Sequence, residues 1–263
     1  MKSLVRMINI AKKEFLEAIS TPLLFLAATF FIFLTSYFFY AAVNYYSQIS
    51  SEWLIHPAMQ KEFLEPSSVL LPPLFANYSM LLLFFIPLLT MSSIANERRN
   101  GTLELLYTFP IRDNEIILGK WIGTLLILAV LLVPLWTYPF LYKFFGGTLA
   151  ISNYGAAFLG LLFLAFLFSA IGIFISSLSE SQTVSAIATI GILLLLWMLE
   201  NTTPMLAKEA GSVMMRFSIQ KYFQPFTNGL VSTEAILFFV LTTALFLFLG
   251  CRSLEKRFFR NPL

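Results

Sequence analysis

The sequence predicts an all-α membrane protein with six transmembrane helices and cytoplasmic N- and C-termini. Three observations lead there. Of the 263 residues 58% are hydrophobic and only 12% charged, whereas soluble domains carry about 25% charged residues. Six separate stretches approach the ~20 apolar residues that cross a hydrocarbon core. The cationic residues fall unevenly on the two sides of those stretches. Disorder is excluded because it requires low hydrophobicity and high charge. The 16% aromatic content, with 29 Phe, suits side chains that face lipid. A formal net charge of +3 makes no case for nucleic acid, and a single cysteine, Cys251, allows no intramolecular disulfide.

Residues 1–21 read as an amphipathic surface helix. Leu4, Ile8, Ala11, Phe15 and Ile19 recur at spacings of three and four, with Arg6, Lys13 and Glu17 elsewhere. Such a helix can lie along the inner membrane surface before the first crossing. The six predicted spans are 22–43, 69–95, 116–141, 154–178, 183–199 and 235–251. They are apolar all round, without the alternation of a barrel strand. The first is too long for the apolar part of a cleaved signal. With the N-terminus inside, Lys61, Lys143, Lys208, Arg216 and Lys221 fall outside, and the other twelve of the 17 Lys and Arg fall inside.

The connections carry further expectations. The first outer loop, 44–68, is expected to hold a short interfacial helix ended by Pro66. Prolines 72, 73 and 87 in span 2, and 134 and 139 in span 3, free backbone carbonyls and bend the axis. Gly155, Gly160 and Gly172 in span 4, and Gly191 in span 5, permit close helix contact. Only the few residues around Ser179–Ser181 separate these two spans, so they must be antiparallel neighbours. The last outer loop, 201–233, is too apolar for a plain linker. Helices dipping into the outer leaflet would explain it, with Gly229 ending them and Ser232 or Thr233 capping span 6.

The second inner loop is the most informative segment. It runs from Ala95 to Pro110 and holds Glu97, Arg98, Arg99, Gly101, Thr102 and Glu104. Leu103, Leu106 and Tyr107 can share one helical face, and Pro110 stops that helix. Asp113 and Glu115 then stand where the next helix begins, at the positive end of its dipole.

Several chemistries are excluded. No span interior holds Asp, Glu, Lys, Arg or His, with Lys120 and Glu200 only at span ends, which speaks against an ion-coupled carrier. The only histidine, His56, sits in an outer loop, so neither a metal cluster nor an intramembrane nucleophile–base pair is available. Gly119-Lys120 is followed by Trp121, not Ser or Thr, so there is no phosphate-binding loop. The chain is expected to be no enzyme and to bind no cofactor or metal itself. No ring of pore-lining charges suggests a channel.

At Glu97, Arg98, Arg99, Asn100, Gly101, Thr102, Leu103, Glu104, Leu105 and Leu106, then Pro110, then 115–120, the sequence resembles the permeases of ABC-2 type exporters. It is most similar to the gliding-motility permease subunit and its nitrous-oxide-reductase maturation relatives. Residues 171–178 and 222–229 extend the likeness, which covers nearly the whole chain. The resemblance implies one transmembrane domain, 1–263, with no nucleotide-binding domain, a connecting helix before span 1 and broken outer helices between spans 5 and 6. It implies an exporter's permease subunit in a bacterial cytoplasmic (inner) membrane. Its partners would be an ABC ATPase carrying ATP and Mg, a second permease chain in a homo- or heterodimer, membrane lipid and an accessory periplasmic protein. The 96–110 loop would be the coupling helix. Glu97, Arg98, Arg99 and Glu104 would contact the ATPase, Leu105 and Leu106 would fill its groove, Gly101 and Pro110 would set the helix ends, and Thr102 completes the motif. The contrasting reading is a membrane scaffold or receptor subunit with no ATPase.

Overall fold

The computed structural model describes residues 2–55, 65–101, 111–202, 215–216 and 218–258. Among them every regular element is helical. Helix α1 spans Lys2–Ser20, α2 Pro22–Ile55, α3 Pro66–Thr90 and α4 Ala95–Arg99. Helix α5 spans Asp113–Leu132 and passes through a 3-10 turn, Val133–Trp136, into α6, Thr137–Phe144. Then come α7 (Ile151–Leu178), α8 (Gln182–Thr202), α9 (Ile219–Thr227) and α10 (Thr233–Phe258). Six stretches are long and apolar enough to cross a membrane: Leu24–Ser51, Pro66–Arg99, Asp113–Phe144, Ile151–Leu178, Gln182–Leu199 and Thr233–Glu255. Six crossings return the chain to the side on which it began, the side of α1 and α4.

The expected spans are all present, and their ends differ for physical reasons. Helix α2 continues past residue 43 to Ile55, because the half-polar stretch after the apolar run contains no Pro or Gly to break it. Pro66 opens α3, and residues 56–64 before it, within the loop expected to hold a short interfacial helix, lie outside the described residues. At the first helical position its missing N–H costs nothing, and its fixed φ favours the helix. Pro72, Pro73 and Pro87 lie inside α3 without ending it, whereas Pro134 sits in the 3-10 turn that interrupts the third crossing. Pro139 denies a donor to the Leu135 carbonyl one turn earlier. The Tyr154 hydroxyl, from α7, donates to that same carbonyl at 2.6 Å. A backbone group freed in an apolar layer has thus been paired from a neighbouring helix, as the absence of water demands. His56 lies outside the described residues.

Helix α7 is the axis of the bundle: 72% of its most apolar window is buried, against 11% for the first crossing and 22% for the fifth. Tyr78, Tyr154, Phe75 and Phe168 are fully enclosed around it. Two of its small residues are required there. A Cβ on Gly160 would come 2.5 Å from Phe226 Cβ on α9, and one on Gly172 would collide with Thr90 at the end of α3. Gly155 and Gly191 play no such part, since a Cβ at Gly155 would find its nearest neighbour 3.9 Å away and one at Gly191 would meet nothing. Helices α7 and α8 are in contact across their short connection, as expected. Of the last outer loop, α9 is described, with Phe223 and Phe226 buried. Its end matches the expectation for Gly229, which has φ +80°. There the Leu230 N–H donates to the Pro225 carbonyl and the Gly229 N–H to that of Phe226, the pattern in which glycine closes a helix.

Candidate functional site

The site lies where α1, α4 and the first turns of α5 meet. Helix α1 reaches α5 because α5 offers no side chains at two positions one turn apart. A Cβ on Gly119 would stand 2.8 Å from Ile10 Cβ, and one on Gly123 2.7 Å from Glu14 Cβ and 3.1 Å from the Ala11 carbonyl oxygen. The face of α1 turned to α5 therefore carries Ile10, Ala11 and Glu14, with Ala11 buried. This divides the stripe expected from the sequence. Ala11 serves the protein contact, while Leu4, Ile8 and Ile19, joined by Val5 and Leu16, remain exposed along another face.

Between the two glycines stands Lys120, 1% exposed. Its Nζ lies 2.5 Å from Glu14 Oε1 on α1 and 3.0 Å from Glu97 Oε1 on α4, and it donates to the Ser93 carbonyl at 2.7 Å. Lys13 Nζ reaches Glu97 Oε1 and Glu17 Oε1, each at 3.5 Å. One buried cation thus ties the N-terminal helix and the start of the 95–101 segment to the third crossing. Burial pushes the Glu14 carboxyl above the ordinary glutamate range, although the adjacent Lys120 ammonium opposes the shift. Burial acts to lower the pKa of Lys13, but Glu97, Glu17 and Glu14 outweigh it, and the net direction is upward. A second ion pair, Arg6 with Glu115 at 3.5 Å, lies further along the same contact.

Helix α4 is held from its other side by the end of α7. The Ser176 hydroxyl accepts from the Ile94 and Ala95 N–H groups at 3.1 and 3.2 Å and donates to the Met91 carbonyl at 3.3 Å. It therefore pairs backbone donors that a helix start leaves open. The Arg98 guanidinium donates to the Ser177 and Ser179 carbonyls at 2.8 and 3.1 Å, a cation at the negative end of the α7 dipole. Gly101, at φ +69°, follows the last turn, and its N–H donates to the Arg98 carbonyl.

The sequence profile of the ABC-2 family transporter protein matches residues 8–259. The chain belongs to the ABC-2 transporter family. No curated protein matches it. As an ABC-2 member it is a multi-pass membrane permease, a transport component without catalysis of its own, and permeases of this family operate with an ABC ATPase.

The residues expected to couple to an ATPase are not all together. Glu97 and Arg98 point inward, to Lys120 and to the end of α7, while Arg99 and Gly101 are exposed. Thr102, Glu104, Leu105, Leu106 and Pro110 lie outside the described residues. Sequence reading missed Glu14, Lys120 and Ser176. Lys120 stands two turns inside α5 and is enclosed, so placing it merely at a span end undervalued it. The available signal was a lysine in an apolar helix, which obliges one to look for its anion. Glu14 and Glu97 are distant in sequence, so only the fold shows that they supply it.

Proposed function

We propose that the chain is the permease subunit of an ATP-driven exporter in a bacterial cytoplasmic membrane, worked by a separate ATPase that docks on the 96–110 loop. On this reading it is a relative of the gliding-motility and nitrous-oxide-reductase maturation permeases, whose motif the 97–106 segment resembles. The observation that carries the reading is the Lys120 clasp, which makes the start of that loop, α1 and the third crossing mechanically one piece. A push on the loop would then travel through α4 to α5 and α1 together. Glu97 and Arg98 brace the loop from within, while Arg99, Thr102, Glu104, Leu105 and Leu106 meet the ATPase, with Gly101 and Pro110 as the ends of the docking helix. An amphipathic helix laid into a groove is a common way to bind. The exposed apolar stripe of α1 rests on the inner leaflet. The first and fifth crossings, the least enclosed by this chain, offer faces for a second permease.

The test is co-expression with a candidate ABC ATPase from the same genome. Glu104→Arg and Leu105→Asp should each abolish co-purification and the stimulation of ATP hydrolysis. Undiminished recovery of the ATPase with both variants would refute docking at this loop, and function without any ATPase would favour the scaffold reading.

A further inference from the structure

One face of the bundle is left bare. The first and fifth crossings are the least enclosed, and α3, which touches both α2 and α8, turns Pro73, Met80 and Phe84 outward. Asn77 falls in the same stripe, at helical spacing from all three, and is half-buried. Helix α2 brings Tyr37 to this face. Phe30, exposed, stacks on Phe85 of α3, and Tyr37, also exposed, stands two turns further along the same edge. The Tyr78 hydroxyl donates to the Thr35 carbonyl at 3.3 Å. Thr35 and Tyr78 are therefore level, and so are their near neighbours Tyr37 and Asn77.

Both groups sit inside the apolar layer. Tyr37 and Asn77 lie about 9 and 12 Å from the nearer ends of the apolar runs 22–43 and 69–95. Helical side chains lean toward the start of their helix, which carries Tyr37 deeper. Among the described residues neither side chain has a hydrogen-bond partner. Other hydroxyls exposed on α2 are provided for. Thr29 and Ser36 donate to carbonyls of their own helix, and Tyr40 stands near the end of the run, where tyrosine meets the membrane surface.

Other outward faces differ. From Leu237 to Leu249 every exposed residue of α10 is Leu, Val, Ala or Phe, and on α5 the exposed positions 126, 129 and 130 are Leu, Ala and Val. Hydrocarbon can pair neither a hydroxyl nor an amide, whereas asparagine in a membrane helix bonds across to another helix. Gly191, exposed on α8, points the same way. A Cβ there would meet nothing in this chain, yet glycine weakens a helix, and its use in membranes is to let another backbone come close.

We propose that this face is covered by a second copy of the chain, with Tyr37 of each copy hydrogen-bonded to Asn77 of the other. A two-fold axis along the membrane normal preserves height, so complementary groups that are level on one face meet reciprocally. A phenol hydroxyl and an amide can each donate and accept, and the pair needs no third group. Cargo would leave both unmet between transport events. The proposal rests on the permease reading only for the need of a second permease, which it identifies as this same chain. Its test uses no ATPase, so the two can fail separately.

The full chain, carrying one fluorescent label, would be reconstituted in phosphatidylcholine–phosphatidylglycerol liposomes over a dilution series in lipid. Photobleaching steps count the copies per vesicle and give the density at which half the chains are paired. Wild type is expected to dimerise. Tyr37→Phe and Asn77→Leu should each raise that density about tenfold, because each removes two symmetry-related membrane hydrogen bonds. The double variant should be no worse than either single one, since the pair is the unit lost. Leu241→Phe, on the apolar face of α10, should change nothing. A wild-type chain monomeric at every density would overturn the proposal and leave the face to cargo or to a different permease. Unchanged densities in both single variants, or a double variant showing the product of the two single effects, would overturn it as well. Tyr37→Phe removes only a hydroxyl from an exposed ring, so it decides even if Asn77→Leu does not fold.

Discussion

Replacing Lys120 by Met is expected to loosen α1 from α5 and to release α4 with it. The substitution keeps the length and apolar stem of the side chain but removes the charge, so the carboxylates of Glu14 and Glu97 are left facing one another. Removing one partner of a fully buried ion pair typically costs 3–5 kcal/mol. Here the side chains of Glu14 and Glu97 are 18% and 16% exposed, and Glu14 is already biased toward protonation by burial. Both facts reduce the cost, to about 2–3 kcal/mol, or about 30- to 150-fold in the population of the undocked state. Hydrogen–deuterium exchange of the α1 amides in nanodiscs reads that population when exchange follows the opening equilibrium. Protection of α1 should fall by that factor at neutral pH. Part of the loss should return as the pH is lowered, because Glu14 without its cation takes up a proton more readily. Peptides of α7, the bundle axis, should keep their protection. Protection of α1 within about threefold of wild type would show that the clasp contributes little to docking, and the mechanical argument would fail.

Three further outcomes follow from the same contacts. Gly123→Leu should detach α1 with the charges intact, at about 1–3 kcal/mol for overpacking, because a Cβ there meets Glu14 Cβ at 2.7 Å and the Ala11 backbone; faster trapping of a cysteine placed on α1 by a soluble thiol reagent would measure it. Ser176→Ala strips the partner from the Ile94 and Ala95 N–H groups and should cost about 1–2 kcal/mol, seen as faster exchange confined to 91–101. The pH dependence has a defined sign. Because the folded pKa of Glu14 is raised above 4.5, its contribution to docking is fully present below the unfolded value and is lost as the pH rises through the folded one. Glu14→Gln should therefore protect α1 less steeply with pH across that window than wild type, and parallel profiles for the two proteins would contradict the assignment.

The six crossings could be read from the sequence because each is an unbroken apolar run, and in lipid such a run must pair its backbone within itself. Local chemistry also sufficed for the glycine that ends α9 and the carboxylates that open α5. Pro66 carries an ambiguity of its residue type, since proline is tolerated at a helix start as readily as it ends one, and here it opens α3. The amphipathic face of α1 was visible as a pattern, but the pattern could not say which part meets protein and which stays exposed. That depended on two glycines more than a hundred positions later. Lys120 shows the limit most sharply. Its burial in an apolar helix demands a counter-charge, which sequence alone can state as a requirement. Which acids meet it is set by the crossing of α1 over α5 and the turn that brings α4 beneath them. Periodicity and hydropathy are local sums and fix what each segment becomes. Charge pairing and cavity shape depend on distances between segments, and those exist only once the helices have packed.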